Sequence, residues 1–348
     1  MGCQKEVFGV TKKGEQAYLY TFTNASGMQM KVSDFGAVLV SVIVKDKEGK
    51  EKDVVLGYDD VTGYEEDTLF LGAIVGRSAN RIGGAAFALN GTEYKLSVND
   101  NDNNLHSGPD FYSKRMWNTE EVTDDAITLS LFSPHLDQGY PGNVKVYVTY
   151  TLKDENEVEI AYKASPDMDT ILNMTNHSYF NMDGHDSGNV LDQKVWIDAD
   201  TFTEMDRQLI PTGNITPVEG TPLDFRTEKA IGDEILTDCE AIRCGQGYDH
   251  NFVLCGEGFR EVASLKSEKS GIKMHVYTDC PGMQLYTGNF MAGEKGKKGA
   301  SYPYRSAACF ESQFFPDAIH HENFVSPICR KGEIYSTKTS YRLSLIHI

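Results

Sequence analysis

Two segments of the chain carry side chains able to move protons while sitting in strand-like surroundings. In Ile171–Asn181 the odd positions Asn173, Thr175, His177, Tyr179 and Asn181 are polar, whereas the even positions include Leu172, Met174 and Phe180. On a strand, successive side chains point to opposite faces, so this alternation sends His177 to a polar face beside Asn, Thr and Tyr while the other face enters a core. Mixed donors and acceptors of this kind suit a polyol ligand. A solvated strand face with an incidental histidine has the same pattern, and the segment alone does not separate the two. The second segment, Ala308–Phe315, sets Cys309, Glu311 and Gln313 on one side and Phe310, Ser312 and Phe314 on the other. Apolar flanks desolvate Glu311 in part and raise its pKa toward general-base territory; a rim or ion-paired carboxylate is the alternative. In Gly282–Gly288, Gln284 faces the same way as Tyr286, although a structural glutamine reads the same.

Other polar groups fall in loops. Gly76–Ile82 holds Arg77, Asn80 and Arg81 among small residues, which fits either a polar pocket or a well-bonded loop. His106 follows Asn104-Leu105, and Asp249-His250-Asn251 precedes the apolar Phe252-Val253-Leu254. His106, His177, Asp249, His250 and Glu311 invite a metal reading, but no H-E-x-x-H or similar spacing exists, and His320 and His321 would face opposite ways if extended. No metal and no cofactor is expected. The chain also lacks G-x-S-x-G, a P-loop, and a G-x-G-x-x-G leading into a helix, so hydrolase-elbow, NTPase and Rossmann chemistries drop out.

The elements that must position these groups are strands. Val144–Leu152 alternates strictly, a polar turn follows at Lys153–Glu157, and Val158, Ile160 and Tyr162 resume the pattern, which predicts an antiparallel hairpin. Asn90-Gly91 predicts a second hairpin because both residues accept positive φ, and Glu268–Gly271 a third. Further strand-like segments lie at 18–23, 28–44, 126–132, 194–199, 283–288, 309–314 and 333–343, with short helical turns near 61–66 and 227–235. Strand runs without βαβ alternation imply an all-β, large antiparallel β-sandwich, read as a single domain over residues 1–348. Leu345–Ile348, apolar but for His347, follows the last strand and is suspected of being a non-native tail.

Composition narrows the partners. Among 348 residues the net charge is -18, with no clustered Lys/Arg stripe, so nucleic acid is a poor partner. A neutral ligand is indifferent to such a field, while an anionic one is repelled. Seven scattered cysteines without a C-x-x-C pair suggest free, mostly buried thiols in a reducing compartment. No stretch approaches the roughly 20 apolar residues of a membrane helix, and no signal-peptide run opens the chain, so a soluble, cytoplasmic protein without membrane contact is expected.

Taken in order, several short motifs resemble the galactose mutarotase (aldose 1-epimerase) family. They are Gly76-Arg77 with Asn80-Arg81-Ile82, Asn90-Gly91, Asn104-Leu105-His106, Gly139-Tyr140-Pro141-Gly142 and Thr175–Asn181. Tyr248–Phe252, Pro281–Gln284 with Tyr286–Asn289, and Glu311-Ser312-Gln313 with Pro316-Asp317-Ala318 complete the set, from about Phe8 to Leu343. The resemblance implies a β-sandwich whose concave face binds a free aldose such as galactose or glucose and interconverts its anomers. It implies Glu311 as general base and His177 as general acid. Asn80, Arg81, His106, Asp249 and Gln284 would bind sugar hydroxyls or assist at the ring oxygen. Two features depart from the family pattern: Ser107 stands where a glycine is usual, which would strain the turn if φ is positive there, and the loop continues Ile319-His320-His321. A sugar-binding protein without turnover, or an epimerase of a phosphorylated or unusual sugar, is the alternative reading.

Overall fold

The computed structural model describes residues 2–346. Alternation in the sequence becomes alternation in burial. Along Val144–Lys153 the positions Val144, Val146, Val148, Tyr150 and Leu152 are buried and those between are not, and this strand pairs antiparallel with Glu157–Pro166 in unbroken register. Removing each valine side chain from water contributes roughly 1.5–3 kcal/mol, so a one-residue slip, which would expose the whole set, is strongly disfavoured. These strands sit inside a nine-stranded sheet; a six-stranded and a five-stranded sheet form the other large layers. Their inward side chains merge into one core that runs from Phe22 and Met30 through Val146 and Val148 to Phe252 and Phe310. This is the all-β antiparallel sandwich the alternation predicts.

Buried hydroxyls tie the layers together. Tyr150 donates to the carbonyl of Ala37 at 2.6 Å, and Tyr341 donates to the carbonyl of Phe310 at 3.0 Å. Each phenol thus buries a ring without stranding its polar end.

The predicted hairpins form. Asn90 and Gly91 take φ of 51° and 77° between Ala86–Leu89 and Thr92–Lys95, and Arg260–Lys266 pairs with Ile272–Thr278. The helical turn at Val61–Glu66 is also present, its start capped by the Asp60 carboxylate.

Several boundaries differ from the sequence reading. Residues 28–44 form two strands, Gln29–Ser33 and Leu39–Lys45, because Gly36 and Ala37 turn with positive φ. Within 227–235 only Ile231–Asp233 coils, as a 3-10 turn, and a short helix at Glu240–Gly245 has no clear signal in the sequence. Ile171–Asn181 is not one strand with a solvated face: Thr170–Ile171, Thr175–His177 and Tyr179–Phe180 pair with three different partners, and all of these residues are buried. His320 and His321 do not diverge; the 3-10 turn Ala318–His320 brings both to Asp317. All seven thiols are free, but only Cys280, Cys309 and Cys329 are buried. The final strand runs Tyr335–Leu345, with Leu345 opposite Ile272 and the N–H of Ile346 donating to Gly271, so these two residues belong to the fold. The rest of the suspected tail, His347 and Ile348, lies outside the described residues. Among the described residues, no helix is long and apolar enough to cross a membrane.

Candidate active site

Three adjacent strands of the six-stranded sheet build one wall. Asp249–Val253 pairs with Gly282–Tyr286, which pairs with Ala308–Gln313. The register sets Asp249, Tyr286 and Cys309 in one row and Asn251, Gln284 and Glu311 in the next. Cross-strand partners share a face, so this surface is polar and aromatic while Phe252, Leu285 and Phe310 enter the core behind it. Tyr179 opposes Cys309 and extends the first row, and His177 precedes it by two residues on the Thr175–His177 strand, held by pairing with Ala73.

The opposite wall comes from the Thr68–His106 region. Arg81-Ile82 pairs with Asn104-Leu105, and the flanking residues exchange hydrogen bonds: His106 N–H donates to the Asn80 carbonyl at 2.9 Å, and Asn80 N–H donates to His106 Nδ1 at 3.1 Å. Asn80, His106 and Ser107 all have positive φ (59°, 53° and 59°), a concentration of strained backbone at one spot. Ser107 therefore does occupy a glycine-like conformation. Its fully buried hydroxyl offsets the cost by accepting from Ser78 N–H at 2.8 Å and pairing with the Ser78 carbonyl and the Tyr140 hydroxyl.

Between the walls lies a cavity of about 320 Å³. Of the seven residues singled out from the sequence, Asn80, Arg81, His106, His177, Asp249 and Glu311 line it. Gln284 does not; it lies behind, donating from Nε2 to Asp249 Oδ1 at 2.6 Å. The two arginines of the Gly76–Ile82 motif part company. Arg77 is fully buried and donates to the carbonyls of Ser133, Pro134, Pro141 and Gly142, so it organises loops. Arg81 reaches the cavity, where its Nε donates to Asp100 Oδ2 at 2.7 Å.

Asp100, Phe70, Tyr179, Tyr286 and Phe290 join the lining with Thr68, Leu69 and Leu105; strand parity put Tyr179 and Tyr286 on the polar faces, but nothing in the sequence marked any of these as a site residue. Asp100 sits in an Asn/Asp-rich loop without periodicity, so its encounter with Arg81 is purely tertiary. Phe70 packs its ring 4.7 Å from that of His106 and 6.0 Å from that of His177, at a positive φ that bulky residues rarely adopt. A bulky residue held in that conformation had no signal in the sequence.

His177 Nε2 stands 3.5 Å from Glu311 Oε1, and both side chains are almost wholly buried. Burial pushes the Glu311 carboxyl well above the usual carboxylate range, with the nearby Asp249 adding to the effect and Arg81 opposing it. Burial also lowers His177 to about 4, and it holds His106 well below the ordinary imidazole value, assisted by the charges of His177 and Arg81. Asp249 is raised by burial too. Each ion alone is disfavoured in this buried setting. Burial thus works against both a lone carboxylate at Glu311 and a lone imidazolium at His177, and transfer of one proton from the carboxyl to the imidazole leaves the net charge of the pair unchanged.

His106, His177 and Glu311 present donor atoms within 4.8 Å of one another, close enough to consider a cation. The hydrogen bond from Asn80 N–H occupies the lone pair on His106 Nδ1, so the proton of the neutral ring sits on Nε2. That nitrogen offers an N–H to the cavity and no lone pair to a metal. The donor set fits a hydrogen-bonding site better than a metal centre.

Comparison with known proteins adds an independent finding. The family model described as aldose 1-epimerase matches residues 18–342. The chain belongs to the aldose 1-epimerase family. It is 41% identical over 320 residues to the galactose mutarotase of Bos taurus, covering 91% of this chain and 92% of that one. It is 36% identical over 333 residues to the aldose 1-epimerase of Escherichia coli strain K12, covering 94% and 96%. Among solved structures, an aldose epimerase homologue from C. elegans superposes with a TM-score of 0.89 at 32% identity, covering 95% of this chain and all of that one. A galactose 1-epimerase from Lactobacillus acidophilus gives 0.88 at 26% identity, covering 100% of both.

Proposed function

We propose that this protein interconverts the α and β anomers of a free aldose, with galactose and glucose as the first candidates, using Glu311 and His177 as the proton-transfer pair. The observation that carries the assignment is the 3.5 Å approach of His177 Nε2 to Glu311 Oε1 in a cavity lined by hydrogen-bonding groups. Mutarotation removes a proton from the anomeric hydroxyl and delivers one to the ring oxygen. The C1–O5 bond then breaks to give the open aldehyde, C1 turns about C1–C2, and the hydroxyl re-adds to the other carbonyl face. Glu311 as carboxylate accepts the first proton, and His177 as imidazolium supplies the second. On closure each takes the other's earlier task, so no proton is gained or lost overall. Each positioned group contributes about 10²–10⁴ in rate. That is ample for a reaction that water already carries out slowly.

His106 Nε2–H, Arg81, Asn80 and Asp249 hold the sugar hydroxyls, and His106 and Arg81 steady the charge that develops on oxygen. Gln284 acts one step back, fixing Asp249. The charge balance favours neutral sugars over phosphorylated ones: among the described residues Arg81 is the one Arg or Lys lining the cavity, and it is already paired with Asp100. One catalytic unit spanning the chain, acting in the cytoplasm, belongs to the same reading.

Polarimetry of freshly dissolved α-galactose tests it. Glu311→Gln and His177→Asn should each bring the rate close to that of the buffer while circular dichroism stays native; near-normal rates in both variants overturn the assignment.

A further inference from the structure

The far side of the His177 ring meets a thiol. Cys309 Sγ lies 3.6 Å from His177 Nδ1, on the nitrogen opposite the one that meets Glu311. Cys309 is fully buried, and among the described residues its thiol makes hydrogen-bonding contact with that nitrogen alone. Its backbone is fixed on both edges, opposite Tyr179 on one strand and Tyr286 on the other, which sets the Cα from which the sulfur reaches the ring. Burial, reinforced by Glu311 and Asp249, pushes the thiol pKa well up, which keeps the sulfur protonated and uncharged.

We propose that Cys309 is a positioning residue for His177, gripping Nδ1 in both protonation states of the ring while adding no charge to it. The proposal rests on the reading of His177 as the proton donor. A thiol donates weakly to a bare Nδ1 and accepts weakly from Nδ1–H, so the contact persists when the ring gains or loses its proton. A carboxylate in the same place would also orient the ring, but it would stabilise the imidazolium and weaken it as an acid. The ring oxygen of a sugar is a feeble base. An imidazolium that gives up its proton readily suits it better than one neutralised from behind. The remaining groups around the ring agree with this. Glu311 faces Nε2, the residue's own backbone carbonyl favours the protonated ring without adding a charge, and His106, Tyr179, Tyr286 and Phe70 supply ring contacts at 5.5, 5.0, 6.0 and 6.0 Å and no permanent charge.

The test compares Cys309→Ser, Cys309→Ala and Cys309→Asp in the full chain. Nitrogen NMR of the His177 ring reports its protonation, and galactose polarimetry supplies kcat and KM. Serine, which both donates and accepts, should keep kcat within about three-fold of wild type, whereas alanine should lower kcat roughly ten-fold with little change in KM. Aspartate should raise the His177 pKa by about 1–3 units and move the acid limb of the rate profile upward with it. If aspartate prevents folding, the serine–alanine contrast decides alone. Alanine turning over like wild type, or an aspartate variant with an unmoved His177 titration, overturns the proposal. A wild-type protein without mutarotation would instead sink the functional reading, while the NMR titrations still report whether the thiol controls the ring.

Discussion

Glu311 and His177 are each too buried to ionise comfortably alone, and that fact governs both pH behaviour and stability. The productive pair carries one shared proton. On the acid side His177 takes up a second proton as pH falls toward its lowered value of about 4; on the alkaline side the shared proton leaves only above the ordinary carboxylate range. A profile of kcat/KM, corrected for the spontaneous reaction, should therefore hold a plateau at mildly acid pH and fall near pH 4. An acid limb at the ordinary imidazole value would contradict the burial argument. The same carboxyl has a stability cost of definite sign. Below the unfolded-state value, near 4.5, it is protonated in both states and no penalty arises. As pH rises past that value the unfolded chain gains a hydrated carboxylate that the folded chain cannot match, so stability is lost up to the raised folded value. Glu311→Gln should accordingly be more stable than wild type by about 1–2 kcal/mol at pH 8, with no difference at pH 4. Urea unfolding at the two pH values measures this, and a pH-independent difference would rule it out.

At the scale of elements, one wall of the site stands on three paired strands and the other hangs on short, strained connections. The two-residue pair Arg81-Ile82 and Asn104-Leu105 is extended by Asn80 and His106, both with positive φ, whose mutual hydrogen bonds aim His106 Nε2 into the cavity. Ser107 follows in the same conformation, and its hydroxyl bonds replace what a glycine would supply by freedom alone. Ser107→Gly and Ser107→Ala both leave the buried Ser78 N–H without its acceptor, but only alanine keeps a Cβ at positive φ. Alanine should be the less stable of the two by about 1–2 kcal/mol, and it should raise KM through displacement of His106. Equal stabilities by chemical denaturation would show that the turn relaxes.

Across the whole molecule, the net charge of -18 surrounds a site whose own charges are mostly paired or suppressed. A neutral aldose feels none of the long-range field, so kcat/KM should change less than about two-fold between low salt and about 0.5 M NaCl. A steep salt dependence would mean that a charged substrate, or charge-driven assembly, is involved.

What the sequence determined by itself was whatever depends on local alternation. Period-2 patterning decided the sandwich, Asn90-Gly91 decided a hairpin, and parity put His177, Glu311 and Gln284 on polar faces. The motifs from Gly76 to Ala318 carried the family resemblance. Tertiary structure alone decided what depends on meetings between distant segments. It broke Ile171–Asn181 into three short strands, because buried backbone there pairs with three different partners. It sent Arg77 into the loops and Arg81 to Asp100, moved Gln284 behind Asp249, and set a thiol against His177. A side chain's face is fixed by its own strand, but its partner is fixed by cross-strand register and loop closure, and no local pattern encodes those.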